Sequence, residues 1–168
     1  KKYAAAVAPL KRVTRERPDF PGGWHALAQA YAARRMYSQA VPAYKKVLEL
    51  QPDAQTAYNL GVTAGRAEQW DEAIAAYDLA LQMAPDGLEP AYNRAVALMQ
   101  AGRLEEAAEA FAAYLQDLKL EPPQVAVIDN TTGDFLGKDV QAIKQSLARH
   151  LSQPVLWERG IKRLIAEG

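Results

Sequence analysis

The sequence predicts an all-α protein built from repeated pairs of antiparallel helices. An alanine followed four residues later by a large apolar residue recurs at intervals of 34, 33 and 34 residues. A proline stands twelve residues after each of the first three alanines, where it ends a helix. Segments upstream of the alanines place apolar residues at helical spacing. The recurring pairs are Ala6 and Leu10, Ala40 and Tyr44, Ala73 and Tyr77, and Ala107 and Phe111.

The repeat divides the first part of the chain into one half unit and three full units. The half unit, residues 3–18, holds only the second helix of a pair, so we expect the natural protein to carry a further helix upstream. The full units are residues 21–53, 54–87 and 88–118. Each has a small residue in its first helix, which lets the two helices approach closely. These small residues are Ala28, Gly61 and Ala95, and we expect Gly61 to meet Ala73.

The pattern of residues in these units resembles that of the tetratricopeptide repeat family. The resemblance rests on Trp24, Leu27, Ala28 and Tyr31, then on Ala40, Tyr44 and Pro52. It covers residues 1–118 and implies an α-solenoid, a right-handed superhelix whose concave surface is lined by first helices. The third unit departs from the pattern, with Arg94 in place of leucine and no closing proline.

Residues 119–168 lie outside the repeat and are predicted to form a capping or accessory segment. An apolar run over 125–128 and a return at Phe135 and Leu136 indicate a short β-hairpin. Two helices should follow. The first would present one apolar face, and the second would begin at Pro154. The apolar face of the first consists of Val140, Ile143, Leu147 and Leu151.

Composition excludes several classes of protein. The 168 residues include no cysteine, which rules out disulfides and zinc sites built on sulfur. No apolar run reaches the roughly 20 residues of a membrane span. The missing signal and membrane segments favour the cytoplasm without fixing the compartment. The charges sum to zero but are uneven: ten basic and three acidic residues over 1–52 give +7, and three and eleven over 53–117 give −8.

No motif predicts catalysis, a cofactor or a metal. Neither histidine has a nucleophile or acid at motif spacing, and no glycine-rich phosphate loop opens a helix. Oxygen-bearing side chains cluster at 129–134, but Asp134 stands where a calcium loop needs glycine and the closing glutamate is absent. The basic residues of the first third lie on helix faces without interleaved stacking aromatics, which argues against nucleic acid.

The resemblance therefore implies a non-enzymatic interaction module that holds a peptide or helix of a partner protein in its concave groove. Asparagine can pair with any peptide backbone, and the neighbouring tyrosines and aliphatic residues add apolar area, which suits a mostly neutral ligand. Aligned with the chaperone-binding subgroup, only Asn59 agrees, so acidic chaperone tails are not expected. The predicted groove residues are His25, Gln29, Tyr58, Asn59, Val62, Arg66, Tyr92, Asn93, Val96, Met99 and Gln100.

Two other functions fit the same sequence. The basic first third and the acidic middle could drive end-to-end self-association, which would make the chain a structural assembly unit. The chain could also be the regulatory arm of a larger enzyme. Sedimentation across a salt series separates the first alternative from a monomeric binding module.

Overall fold

A computed structural model of the chain describes residues 2–124, 127–129, 131, 132 and 134–149. In these residues it contains eight helices and one two-stranded sheet. The helices are α1 Lys2–Glu16, α2 Pro21–Ala33, α3 Tyr37–Leu50, α4 Ala54–Arg66, α5 Trp70–Met83, α6 Leu88–Gln100, α7 Leu104–Asp117 and α8 Val140–Arg149. The strands are β1 Val127–Ile128 and β2 Phe135–Gly137. The all-α prediction and the short hairpin are confirmed. The helix predicted from Pro154 lies outside the described residues.

Two compact units divide the chain after Ala97. The first contains α1 to α5 and most of α6, and the second begins with the last turn of α6. Within the first unit, α2 packs against α3 and α4 against α5, while α1 contacts α2 and α3 contacts α4. The predicted domain boundary at residue 118 and the superhelical form stay predictions.

Each hairpin turns through one residue with left-handed backbone. Arg35, Glu68 and Gly102 follow α2, α4 and α6 at repeat spacing, with φ of 57°, 58° and 78°. The residue after each of them donates its backbone N–H back into the helix, as from Gln69 to Ala64 O at 2.9 Å. This arrangement satisfies the last carbonyls of the first helix and reverses the chain within three residues.

Small residues allow the hairpins to close. Ala28, Ala40 and Ala73 are fully buried. A Cβ atom at Gly61 would lie 2.5 Å from Cε1 of Tyr77, so the aromatic ring fills the space that the missing side chain leaves. Ala73 lies 4.0 Å from a Cβ atom built at Gly65, one turn further along α4. The expected contact between Gly61 and Ala73 stays a prediction, and the contact of Gly61 with Tyr77 is one that the spacing did not predict.

The second unit is held by polar contacts as well as apolar ones. Helix α8 packs against α7. Lys144 of α8 is buried, and its Nζ donates to the backbone oxygens of Gln116 at 3.0 Å and Leu118 at 2.6 Å. This ammonium satisfies carbonyls at the C-terminus of α7, where the helix dipole favours positive charge.

Asp129, directly after β1, is the centre of a second polar cluster in this unit. Its Oδ1 accepts from Thr131 N at 2.7 Å, Thr131 Oγ1 at 2.5 Å and Thr132 N at 3.2 Å, and its Oδ2 accepts from Arg149. The carboxylate is fully buried. Burial opposes its charge, but the hydrogen bonds from Thr131, Arg149 and Thr132 outweigh this and hold the pKa of Asp129 far below its usual value.

Candidate peptide-binding face

The residues predicted to form the groove belong to the first helices of the three full units, which are α2, α4 and α6. Nine of the eleven lie in the first unit, and we call these nine the first-helix face. Met99 and Gln100 belong to the second unit. The first-helix face consists of His25, Gln29, Tyr58, Asn59, Val62, Arg66, Tyr92, Asn93 and Val96.

Ring contacts fix the first-helix side chains against the second helix of the same hairpin. The His25 ring meets the edge of Tyr44 with centroids 6.0 Å apart, and the Tyr58 ring lies 6.1 Å from that of Tyr77. The two contacts occupy equivalent positions in successive repeats. Burial and, to a smaller extent, the neighbouring Tyr58 raise the pKa of Tyr77 to about 12, although Arg66 lowers it in part. The hydroxyl of Tyr77 is therefore neutral at neutral pH.

A hydrogen bond joins two first helices across the repeat boundary. Asn93 Nδ2 of α6 donates to the hydroxyl of Tyr58 of α4 at 3.2 Å. Within α4, Gln55 Nε2 donates to Asn59 Oδ1 at 3.2 Å. The side-chain oxygen of Asn59 and the side-chain nitrogen of Asn93 are thus paired. Within the described chain, the Asn59 nitrogen donates to no protein group and the Asn93 oxygen accepts from none. An amide nitrogen on α4 and an amide oxygen on α6 therefore remain open on neighbouring repeats.

Exposure differs along the face. Tyr92 is 46% exposed, and Gln29 and Arg66 are also exposed, whereas Val62 and Val96 are half-buried. The exposed ring of Tyr92 precedes Asn93, so apolar area and an open amide acceptor adjoin on α6. An aromatic surface and an amide oxygen without a protein partner in the described chain can both contact a peptide backbone.

A cleft of about 380 Å³ opens between α4, the end of α5 and the start of α6. Tyr58 is the one predicted face residue that lines it. Sequence reasoning did not assign the other residues to a groove, although Gln55 lies one helical turn before Tyr58 and could have been found by that spacing. The remaining lining residues are Ala54, Ala80, Ala84, Gly87, Glu89 and Pro90.

Ion pairs connect neighbouring repeats. Arg94 Nε of α6 donates to Asp78 Oδ1 of α5. Lys45 Nζ of α3 lies 2.5 Å from Glu72 Oε2 of α5. The arginine that replaces leucine in the third unit therefore has a structural partner in the preceding hairpin.

Two family models, both described as tetratricopeptide repeat, match residues 25–87 and 60–131 of this chain. Together they cover the two full hairpins of the first unit and continue into the second unit. The chain belongs to the tetratricopeptide repeat family. The resemblance drawn from the residues is confirmed, and the family supports a protein-interaction scaffold.

Curated relatives share part of this array. The peroxisomal targeting signal receptor of Kluyveromyces lactis is 28% identical over 96 residues, which are 56% of this chain and 17% of the receptor. Superkiller complex protein 3 of Mus musculus is 31% identical over 85 residues, 50% of this chain and 5% of that protein. The chain thus matches a small part of relatives that are much longer.

Solved structures show the same fold. MamA MSR-1 is 26% identical with a TM-score of 0.62, and the match covers 69% of this chain and 67% of that one. YrrB, a tetratricopeptide protein, is 17% identical with a TM-score of 0.63 over 98% of this chain and 75% of its own. Among the described residues, no helix is both long and apolar enough to cross a membrane.

Proposed function

We propose that this chain binds a partner polypeptide along its first-helix face. The observation that carries the proposal is that the amides of Asn59 and Asn93 pair with Gln55 and Tyr58 and, within the described chain, keep an open nitrogen on Asn59 and an open oxygen on Asn93 on adjacent first helices. A peptide backbone offers carbonyl acceptors and N–H donors to such groups, and binding by its backbone does not depend on the ligand's sequence.

The chemistry of the face favours a mostly neutral ligand. Val62, Val96 and the exposed ring of Tyr92 provide apolar contact. Glu89 lines the adjacent cleft, and its negative charge opposes an acidic ligand there. Arg66 is the only lysine or arginine among the nine face residues, so a terminal carboxylate would lack a cluster of cations to form charge-assisted hydrogen bonds. One relative is named as a receptor for a targeting signal, which is consistent with recognition of a polypeptide segment.

The test removes the two open amide groups together. Partners captured by affinity from cell extract are compared between the wild-type chain and the double variant Asn59→Ala with Asn93→Ala. Two lost hydrogen bonds of about 1 kcal/mol each predict roughly thirtyfold weaker binding. Gln82→Ala, an exposed amide on the second helix α5, is the matched control and should bind as the wild type does. Unchanged binding by the double variant would contradict the proposal.

Self-association is the second candidate, favoured by the unequal distribution of charge. Residues 1–52 carry +7 and residues 53–117 carry −8. Oppositely charged surfaces attract within a Debye length of about 8 Å at physiological salt. Sedimentation at low and high salt tests this candidate, because a chain that is monomeric at every salt and protein concentration would eliminate it.

A further inference from the structure

A second cavity, of about 550 Å³, lies between the second helices α1 and α3. Its floor is formed by Trp24, Leu27 and Tyr31 of α2, and none of the first-helix face residues lines it. Its volume falls within the range of ordinary ligand pockets. We call this cavity the α1–α3 groove. The indole N–H of Trp24 already donates to Pro18 O at 2.8 Å, so the ring offers apolar surface to a ligand.

The edges of the α1–α3 groove carry an excess of positive charge. Lys11 lines the groove with its Nζ 5.9 Å from the centroid of the Tyr31 ring, and it pairs with no carboxylate among the described residues. Arg15 stands one turn further along the same face of α1 and is likewise unpaired in the described chain. On α3, the charge of Glu49 is offset by Lys46 at 2.7 Å. Because Lys11 and Arg15 are like charges four residues apart, they repel each other slightly on α1, and an anion bound beside them would reduce this repulsion.

The equivalent gap in the next repeat, between α3 and α5, contains an ion pair that the α1–α3 groove lacks. Lys45 is the equivalent of Lys11, 34 residues later, and it pairs with Glu72 at 2.5 Å across the gap between α3 and α5. The equivalent of Glu72 in the earlier repeat is Gln39, which lines the α1–α3 groove and carries no charge. The ion pair that ties α3 to α5 therefore has no counterpart between α1 and α3.

Two further features separate these gaps. The first turn of α5 contains Asp71 and Glu72, whereas the first turn of α3 contains no acidic residue. At the repeat positions of Thr14 and Lys46, the second gap has the half-buried leucines Leu48 and Leu79. The second gap is thus lined by aliphatic side chains and an ion pair, while the first keeps an aromatic floor with a cationic edge.

We infer that the α1–α3 groove binds an acidic segment of a partner protein. A carboxylate of that segment takes the place that Glu72 occupies in the next repeat, beside Lys11, and an aromatic or aliphatic side chain next to it rests on Trp24 and Tyr31. The site is separate from the first-helix face and selects a different ligand, since that face favours a mostly neutral segment and adjoins Glu89. One array would then hold two segments of different charge.

The decisive variant is Gln39→Glu, which supplies the missing carboxylate from within the chain. A carboxylate in the first turn of α3 is favourable to the helix dipole, so the fold should be retained, and circular dichroism checks this. Lys11→Gln removes the cation. Lys45→Gln is the matched control, because it changes the equivalent lysine in the gap that already holds its ion pair.

A display library of short random peptides is selected against the full chain, and the best peptide is titrated into each variant. We expect selected peptides to combine net negative charge with an aromatic or aliphatic anchor, and to bind more weakly as salt rises. Gln39→Glu and Lys11→Gln should each weaken binding by about tenfold or more, while Lys45→Gln and the Asn59→Ala, Asn93→Ala double variant should bind normally.

Three results would overturn the inference. Selection could yield neutral or basic peptides, or none above background. The selected acidic peptide could bind Gln39→Glu as tightly as the wild type. Finally, sedimentation could reveal a dimer that Gln39→Glu abolishes while no acidic peptide is selected, which would assign the groove to a second copy of the chain. Because the double variant tests the first-helix face alone, failure of one site is distinguishable from failure of the other.

Discussion

The two units of this chain differ in the burial of charged side chains among the described residues, since Asp129 and Lys144, both in the second unit, are buried. In the first, a glycine and buried alanines let the helices approach, and the ring of Tyr77 fills the space at Gly61. In the second, the buried Lys144 and Asp129 join α8 to the end of α7 and to the turn after β1. Apolar packing tolerates changes of pH, whereas buried charges depend on their partners and on their ionisation. The units should therefore respond differently to the same disturbance.

Removing the carboxylate of Asp129 should produce the largest loss. Asp129→Ala removes the acceptor of the Thr131 N–H and hydroxyl and one acceptor of Arg149, and losing hydrogen bonds to a buried charged group costs about 3 kcal/mol. Hydrogen exchange of α7 and α8 amides measures the loss within the second unit. Glu121→Gln, an exposed carboxylate nearby in sequence, is the control and should change little. An Asp129→Ala chain with wild-type protection would contradict the difference between the units.

The carboxylate of Asp129 also makes the stability of the second unit depend on pH. The pKa of Asp129 is lowered in the folded chain, so its stabilising effect is complete above the unfolded value of about 3.9. That effect is lost progressively as pH falls below about 4. The difference in α8 protection between wild type and Asp129→Asn should therefore shrink on acidification. A difference that grows instead would show that the sign is wrong.

Filling the contact at Gly61 should destabilise the first unit. In Gly61→Ala the new Cβ would lie 2.5 Å from the Tyr77 ring, and overpacking of this kind costs about 2 kcal/mol. Gly65→Ala is the matched control on the same helix, because its Cβ would meet Trp70 and Ala73 at ordinary distances of 3.8 and 4.0 Å. That variant should gain up to about 1 kcal/mol from helix propensity. Chemical denaturation compares the stability of the two variants. Equal stability would show that the Tyr77 ring does not restrict the side chain at position 61.

The repeat predicts the positions of the helices along the sequence, but it does not predict contacts that long polar side chains make with neighbouring helices. Spacing of 33 and 34 residues located the helices and their turns, because each unit repeats the same burial. Outside the repeat, apolar helical spacing placed Ile143 and Leu147 on one apolar face of α8, whereas Leu147 is 38% exposed and Lys144 is 6% exposed. Apolar periodicity carries no signal for a lysine whose ammonium reaches carbonyls of α7. Pairing of Asn93 with Tyr58 was hidden for the same reason.

Loss of the helix cap at Asp53 should have a moderate effect on the first unit. Asp53 Oδ1 accepts from Thr56 N at 2.8 Å at the start of α4. Asp53→Ala should cost about 1 kcal/mol, measured by denaturation, and Asp53→Asn should restore most of it because asparagine is also a good cap. If neither variant changes the stability, the N-cap of α4 by Asp53 contributes nothing to the stability of the first unit.

The smallest expected effect is a gain, at the turn between α4 and α5. Glu68 has φ of 58°, a backbone conformation that costs a residue with a Cβ atom about 1 kcal/mol. Glu68→Gly should stabilise the first unit by up to that amount, because glycine adopts this conformation without strain. The equivalent position after α6 is already a glycine, Gly102. Glu68→Ala removes the charge and retains the strain, so it should give no gain. Equal gains would attribute the effect to charge.

We propose that a partner polypeptide contacts the open amide groups of Asn59 and Asn93. NMR spectra of their side-chain amides in the 18.4 kDa chain, recorded while a captured partner is added, test this contact. We expect the resonances of both side chains to move together with partner concentration, while that of Gln82 on α5 stays in place. If both asparagine resonances remain unchanged in a saturated complex, the partner binds elsewhere and the claim is contradicted.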